Sequence, residues 1–279
     1  MREFIRDPSI FGKWQAGTPT QPAATSESHH FLKKTVAGRP LTRPVWWFDR
    51  PSPGESLADV GTHTADLALS SISARSHGQL PHPGHPSPRS RPLATALTED
   101  DFHSLTGLPG YPPHLMPLVV NGQLYYAGNN TVTYTLSGVH VKMSTHWEVE
   151  AVDGGLDAHT AIALGTLARW KCGRRPPRIE VFISATDPAN HAELFRKLST
   201  KCDLMGGRLP GLATRDAGTE IQLLIPDKLR TTHEDHFAAV MDEFVRYFHN
   251  PRAIPAWERP NTLGKYYIDK AIEMARDRD

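Results

Sequence analysis

The stretch VHVKMSTHWEVE, residues 139–150, alternates between two kinds of side chain. One set is mostly apolar and comprises Val141, Met143, Thr145, Trp147 and Val149. The other set is polar and comprises Lys142, Ser144, His146, Glu148 and Glu150. Because successive side chains of a β-strand point to opposite faces, this alternation predicts a strand with one covered and one open face. Such strands are typical of antiparallel sheets, so the chain is constrained to fold around a one-sided sheet.

Other segments extend this sheet and supply helices to cover it. The Asn-Gly pair in LVVNGQLYY, residues 118–126, predicts a type I′ hairpin, and TAIALGTLARW, RIEVFIS and TEIQLLI predict further strands. Apolar spacing and capping signals predict helices over residues 7–14, 22–35, 55–71, 188–203, 232–248 and 261–276, with a short one after Thr98. The predicted fold class is α+β, a largely antiparallel open sheet with helices packed mainly on one face.

Three segments carry specific expectations about burial or helix capping. VWWF, residues 45–48, lies between prolines and predicts an extended buried stretch, with its aromatic side chains in the core. Asn261 follows Pro260 and is expected to be the N-cap of the last helix. A helical stripe is expected to face the core, and its members are Phe237, Val240, Phe244, Val245 and Phe248.

A Pro-rich segment divides the chain. Residues 75–96 contain prolines at 81, 83, 86, 88 and 92, which suit neither a helix nor a central strand. Few apolar side chains there offset the entropy cost of ordering, so we predict a disordered insertion over 75–96. Residues 1–74 would hold N-terminal helices, the WWFD segment and an Asp/His helix, and residues 97–279 the sheet and C-terminal helices of the same domain.

Composition narrows the class of protein. The 279 residues carry a formal net charge of +1, which gives no basic footprint for nucleic acid. Cys172 and Cys202 are too few for a disulfide framework and fit a reducing compartment. The N-terminal MREFIRDPSIFGKW lacks the apolar core of a signal peptide, and no apolar run approaches the roughly 18 residues of a membrane span. The expectation is a soluble cytoplasmic protein without nucleic-acid or membrane partners.

The predicted helix GESLADVGTHTADLALS, residues 54–70, keeps three ionisable residues among apolar ones. Asp59 and His63 are four residues apart, and His63 and Asp66 are three apart, so on an α-helix they would share a face. A carboxylate beside an imidazole orients it and raises its basicity, which suits general acid–base chemistry on a hydroxyl group. The alternative interpretation is that the aspartates only cap the helix or pair locally.

That helix is similar to the D-x-x-x-H-x-x-D helix in the second domain of Gfo/Idh/MocA oxidoreductases. More narrowly, the chain resembles the putative oxidoreductase C-terminal domain found in one branch of that superfamily. The similar stretches run from SESHHFLKKTVAGRPLTRPVWWFDRPSPGESLADVGTHTADL through LTEDDFHSLTG, SGVHVKMSTHWEVEA and DAHTAIALGT to IPDKLRTTHEDHF and WERPNTLGKYYIDKAIEMA. The resemblance covers most of the chain, from about residue 8 to residue 275.

The resemblance implies an N-terminal Rossmann half that holds NAD or NADP, followed by an open-sheet half that binds a sugar- or polyol-like substrate and supplies much of an oligomer interface. It implies that His63 is the acid/base and that Asp59 binds substrate hydroxyls or orients the site. Asp66, Asp49 and His29 are implied as substrate-binding or supporting residues. Neither the G-x-G-x-x-G turn nor the family's E-K-P segment occurs in this chain.

The sequence therefore predicts the substrate-binding and oligomerisation half of an NAD(P)-dependent sugar- or polyol-type oxidoreductase, inactive alone, with the Rossmann half missing and no cofactor bound by this chain. A homo-oligomer would pair through the sheet. The first alternative is a noncatalytic module that binds carbohydrate or protein. The second is a metal-dependent hydrolase, which has less support because HEDHF, residues 233–237, lacks the H-E-x-x-H spacing of zincins. No metal site is predicted.

Overall fold

A computed structural model describes residues 2–36, 38–49, 57–72, 94–151, 157–175, 178–231 and 233–276. The strands are β1 (Ala24–Lys33), β2 (Thr35–Val36), β3 (Arg39–Pro40), β4 (Thr95–Leu97), β5 (Val119–Val120), β6 (Gln123–Tyr126), β7 (Asn130–Leu136), β8 (Val139–Glu150), β9 (Ala158–Leu164), β10 (Ala168–Arg175), β11 (Arg178–Ala185), β12 (Ala213–Asp216) and β13 (Ile221–Leu224). The α-helices are α1 (Arg2–Ile5), α2 (Thr62–Ile72), α3 (Glu99–Thr106), α4 (His191–Leu204), α5 (His233–His249) and α6 (Glu258–Arg276). A π-helical turn, Leu57–Gly61, leads into α2, and 3-10 turns occupy Val45–Phe48, Pro113–Leu118, Pro188–Asn190, Asp227–Leu229 and Pro251–Ala253.

Eight strands form one open sheet in the order β12-β13-β11-β10-β9-β1-β8-β7. Its pairs are antiparallel except that β1 and β8 run parallel, with Ala24 opposite Val141 and His29 opposite His146. A three-stranded sheet, β4-β6-β5, and a two-stranded one, β2-β3, complete the described strands. The predicted fold class, α+β with a large and mostly antiparallel open sheet, is confirmed.

The alternation that predicted β8 matches its two faces. Val141, Met143, Thr145 and Trp147 are buried and Lys142, Glu148 and Glu150 are exposed, but Ser144 on the polar side is also buried. We call the side of the large sheet that contains Trp147 the covered face and the side that contains His146 the open face. In-register partners on neighbouring strands share a face, so the register extends both faces across the whole sheet.

The covered face is packed in three clusters. Over β9–β11 and β13, Trp170 and Ile183 pack with Phe4 and Phe11 of the N-terminal segment and with Leu198 of α4. Over β7 and β8, a second cluster joins α2 and α6 to the sheet, and its members include Ala65, Leu69, Tyr134, Met143 and Ile268. Where β1 and β8 approach their C-terminal ends, a third cluster joins α3 and the three-stranded sheet to them, and its members include Leu32, Phe48, Phe102, Tyr126 and Trp147.

Two local predictions are confirmed in detail. Thr98 caps α3 through a reciprocal capping box with Asp101, and Gly107 ends the helix in the left-handed region at φ 78°. Asn121 and Gly122 have φ of 51° and 77°, as a type I′ turn between β5 and β6 requires.

The prediction of helices over 7–14 and 22–35 is wrong. The first stretch is a series of turns, because the Asp7 carboxylate accepts bonds from Ser9 and the chain reverses at Gly12 with φ 73°. The second is mostly β1, where the backbone pairs with β8 on one side and with β9 on the other. These pairings join segments far apart in sequence, and they override the local helical pattern.

Three further predictions also need correction. VWWF is a 3-10 turn rather than an extended stretch; Phe48 is buried, but Trp46 is 54% exposed. Asn261 lies inside α6, where its amide N–H bonds to the carbonyl of Trp257, so it is not the N-cap. The helix predicted over 232–248 is present as α5, but its apolar stripe is exposed, from 44% at Val245 to 72% at Phe248.

The predicted Pro-rich insertion, residues 75–96, lies outside the described residues up to residue 93, and β4 begins at Thr95. No helix within the described ranges is long and apolar enough to cross a membrane.

Candidate functional site

Polar groups converge on the covered face where the C-terminal half of β1 meets the start of β9. His30 of β1 stacks on Trp147 of β8, with ring centroids 4.8 Å apart. Its Nδ1 lies 3.1 Å from Oδ2 of Asp157, which directly precedes β9. Lys34 Nζ donates to the same carboxylate oxygen at 2.7 Å, and the backbone N–H of Phe31 donates to Oδ1 at 3.3 Å. Asp157, which lies just before the first residue of β9, therefore orients the imidazole of His30.

Charge compensation within this group is strong. Burial alone would raise the pKa of Asp157, but hydrogen bonds from His30 and Lys34 outweigh it and hold that pKa well below its ordinary range. His159, opposite Ser28 on the neighbouring strand, has a pKa lowered by burial and by the nearby His30. A carboxylate kept ionised beside His30 favours the tautomer that carries hydrogen on Nδ1, so Nε2 presents a lone pair.

Arg43 is a further buried member of this group of polar residues. Its side chain is 8% exposed and donates to the carbonyls of Leu32 and Phe31 at 3.3 and 3.2 Å. The guanidinium lies over the rings of Trp47 and Trp147, at 4.9 and 5.4 Å from their centroids. Burial lowers the pKa of Arg43, and the nearby carboxylates of Asp157 and Asp59 oppose that shift.

Asp59, on the π-helical turn, approaches the same group. Its charge raises the pKa of Arg43 against the effect of burial, and it adds to burial in raising the pKa of Tyr126. Tyr126 packs edge-on against Trp147, with centroids 6.2 Å apart. Single π-helical turns inside helices are frequent at functional sites. We call His30, Lys34, Arg43, Trp47, Asp59, Tyr126, Trp147, Asp157 and His159 the covered-face group.

Asp59, His63 and Asp66 do not share one environment. Asp59 lies close enough to Arg43 and Tyr126 to affect their pKa values, whereas His63 is exposed on the first turn of α2. Asp66 accepts from Asn261 Nδ2 at 2.6 Å and lies 3.2 Å from Lys265 Nζ, so it ties α2 to α6.

The other two predicted site residues, Asp49 and His29, lie in different parts of the structure. Asp49 is half-buried and directly follows Phe48, beside the third core cluster. His29 stacks on His146, with centroids 4.6 Å apart, and so lies on the open face, away from Asp59. The roles of all five residues stay predictions.

Sequence reasoning missed Asp157 and Arg43 as site residues, and it selected His29 rather than the neighbouring His30. The signal for His30 lay in strand alternation, because residues 29 and 30 of a strand must face opposite ways. Treating this segment as a helix concealed it. Asp157 begins the stretch DAHTAIALGT, and no local pattern connects it to His30.

The described residues contain no glycine-rich turn of the kind that holds a dinucleotide. Such a site needs a glycine-rich turn between a strand and the start of a helix. The connection from β11 to α4, residues 186–190, and that from β13 towards α5, residues 225–231, contain no glycine. Gly206 and Gly207 follow the C-terminal end of α4, and Gly154-Gly155 lies outside the described residues.

Comparison with known proteins places this geometry in context. Residues 1–276 match the family described as "Putative oxidoreductase C terminal domain". No curated protein matches the chain. A crystal structure of a putative oxidoreductase from Parabacteroides merdae is similar over 100% of the chain, with 30% identity and a TM-score of 0.89, and the chain spans 64% of that protein. A putative oxidoreductase from Erwinia carotovora atroseptica shares the fold at 11% identity and a TM-score of 0.50, over 99% of the chain and 58% of that protein.

Proposed function

We propose, from the premise that the chain belongs to the putative oxidoreductase C-terminal domain family, that it binds the substrate of an NAD(P)-dependent oxidoreductase acting on sugar- or polyol-type molecules. Within this proposal the family is a branch of the Gfo/Idh/MocA superfamily, and the protein works in the cytoplasm. The free thiols of Cys172 and Cys202 suit such a reducing compartment.

The observation that carries the proposal is a set of buried polar atoms without protein partners. Among the described residues, Ser28 Oγ, His30 Nε2 and Trp147 Nε1 are buried and make no hydrogen bond within the chain. Buried polar atoms are normally paired, because each unpaired one costs about 1–3 kcal/mol. All three lie on the covered face, two on adjacent inward positions of β1 and one on the paired strand. A hydroxyl-rich ligand would satisfy them.

The aromatic surfaces support the same ligand class. Trp47 and Trp147 meet edge to face, with centroids 5.8 Å apart, beside the charged Arg43. Binding sites commonly combine apolar and aromatic walls with a few convergent polar groups that fix orientation. The C–H faces of a sugar or cyclic polyol would pack on the indoles, while its hydroxyls would reach His30 and Ser28.

In this proposal two histidines carry out the proton transfers. His30, oriented by Asp157, would accept a hydroxyl proton at Nε2. His63 would act as the acid/base that the family resemblance implies, with Asp59 near the substrate hydroxyls. Because His63 is exposed, its imidazole would reach a substrate only after a further protein segment covers α2. In this proposal the hydride acceptor would be held outside this chain, and the lack of a glycine-rich strand-to-helix turn among the described residues supports that assignment.

A matched pair of neighbouring residues tests substrate binding. We expect saturation-transfer NMR with glucose, sorbitol and inositol to show saturable binding of at least one of them to the wild type. The His30→Gln variant should bind at least tenfold more weakly, and His29→Gln, on the opposite face, should bind as the wild type does. Absence of saturable binding to the wild type, or equal loss in both variants, would overturn the proposal.

Calorimetry with NAD(H) and NADP(H) tests whether the dinucleotide is bound by a segment other than this chain. We expect no binding at micromolar concentrations, because the chain lacks the glycine-rich turn. Micromolar binding would contradict the assignment of the dinucleotide to another segment.

The exposure of His63 favours one alternative, a noncatalytic carbohydrate- or protein-binding module. The two functions differ in the response to His63→Ala when the chain is assayed together with the dinucleotide-binding half that this proposal implies. Loss of turnover with unchanged substrate binding supports the enzyme, whereas a neutral effect on both supports the module.

Self-association is the remaining part of the proposal. A second copy would pair against the open face of the sheet, where Ile162 of β9 offers a half-buried apolar side chain among polar ones. Light scattering after size exclusion should report a dimer for the wild type and a monomer for Ile162→Arg. A wild-type monomer at high micromolar concentration would rule this arrangement out.

A further inference from the structure

A second histidine group lies on the open face of the large sheet. Glu27 and His29 occupy alternate positions of β1, so they project to the same side. His146 lies directly opposite His29 on β8. The two imidazole rings stack with centroids 4.6 Å apart and planes 20° apart. Glu27, His29 and His146 are called the open-face triad.

The ligand atoms of the triad converge. Oε1 of Glu27 lies 3.0 Å from Nε2 of His29 and 3.2 Å from Nε2 of His146. The three candidate ligand atoms all lie within 4.8 Å of one another. Two imidazole nitrogens and one carboxylate oxygen form a donor set that binds Zn²⁺ in proteins. From this convergence we propose that the open-face triad binds one divalent transition-metal ion, with Zn²⁺ the preferred probe.

The geometry requires only modest adjustment. Zinc holds nitrogen and oxygen ligands at about 2.0–2.2 Å, so tetrahedral ligand atoms stand roughly 3.4 Å apart. The side chains of His29, His146 and Glu27 are 40%, 36% and 48% exposed, which leaves them room to turn inward. Their backbones are fixed by the β1–β8 pairing, so the ligand positions are preset. Three protein ligands leave a fourth position open to water.

The charges around the triad suit a cation. Glu148 lies two positions beyond His146 on the same face of β8 and adds a second carboxylate. The charge of Lys142, four positions before His146 on the same strand, has the opposite effect. This site is separate from the covered-face group, because the sheet lies between them.

The sequence concealed this site in two ways. His29 and His146 are far apart along the chain, so no spacing motif joins them. Glu27 and His29 are two residues apart, which places them together on a strand but apart on the helix predicted there.

Isothermal calorimetry with ZnCl₂ on the untagged chain tests the proposal. We expect one ion per chain for the wild type. His29→Gln, His146→Gln and Glu27→Gln should each weaken binding at least tenfold, and Mg²⁺ should not compete because it prefers an octahedral set of oxygen ligands. Co²⁺ should give the intense visible absorption of a four-coordinate ion with the wild type and lose it with His29→Gln.

Two control variants separate the triad from adventitious histidines. His140→Gln alters the same strand outside the triad, and His236→Gln alters the HEDHF segment. Both should bind Zn²⁺ as the wild type does. Unchanged binding in all three triad variants, or loss in His236→Gln instead, would overturn the proposal. Thermal unfolding without metal should be nearly the same for all variants, which shows that lost binding is not lost folding.

Discussion

The two faces of the sheet at β1 and β8 differ in what their histidines touch. His30 on the covered face stacks on a buried tryptophan and bonds to a half-buried carboxylate, whereas His29 on the open face stacks on another histidine and meets an exposed glutamate. The residues are adjacent, so composition does not distinguish them. Burial makes an interaction strong and its loss costly, while exposure leaves side chains free to rearrange around a ligand.

The largest expected difference between the faces comes from His146 and Trp147. Trp147 is 3% exposed, so Trp147→Ala should lower the free energy of unfolding by about 3–5 kcal/mol through lost burial and a cavity. His146→Thr, on the open face, should change it by less than about 0.5 kcal/mol. Urea denaturation followed by circular dichroism measures both. Equal effects would contradict the difference in burial between the two residues.

The next effect concerns the carboxylate of the covered-face group. Asp157→Asn removes the charge that pairs with His30 and Lys34 and should cost about 1–3 kcal/mol, less than a fully buried pair because the side chain keeps some exposure. The depressed pKa means that the folded protein binds this proton more weakly than the unfolded chain. The contribution is therefore present above the unfolded pKa of about 3.9 and is lost as pH falls towards the folded value.

Denaturation at several pH values checks this linkage. The difference in unfolding free energy between wild type and Asp157→Asn should be constant near neutrality and shrink below about pH 4. A difference that does not depend on pH would show that the effect of Asp157 on stability does not come from its charge. Glu150→Gln, at an exposed position of β8, is a control that should show little effect.

A smaller effect concerns His159. Its lowered pKa means that the folded state resists protonation, so stability is lost as pH falls below the unfolded value of about 6.5. His159→Gln should remove this loss, which we expect to be on the order of 2–4 °C in Tm between about pH 7.5 and 5. Differential scanning calorimetry of both proteins measures it. An identical pH profile for wild type and variant would contradict the assignment.

The smallest expected effect extends the contrast to two amphipathic helices. α4 buries Leu198 fully against the sheet, whereas Phe244 of α5 is 60% exposed. Phe244→Ser should therefore change the free energy of unfolding by less than about 0.5 kcal/mol, since little burial is lost. Leu198→Ser is the matched control and should cost several-fold more. A cost of about 2 kcal/mol for Phe244→Ser would show that α5 is covered in solution.

Features set by neighbouring residues were the predictable ones. The alternation in β8, the Asn121-Gly122 turn and the Thr98 capping box all depend on contacts within a few residues, and the structure matches each of them. The fold class followed from them. The exposed stripe of α5 was not predictable in this way, because a periodic apolar pattern shows that a face is apolar without showing whether anything covers it.

Sequence alone determined the local conformations and which side chains of β8 share a face, because both follow from backbone geometry over short distances. Only the tertiary structure decided that residues 24–33 form a strand between β8 and β9, and this one fact places His30 beside Asp157 and His29 beside His146. The physical reason is that strand pairing joins distant segments, and its hydrogen bonds override the weaker conformational preferences of the residues themselves.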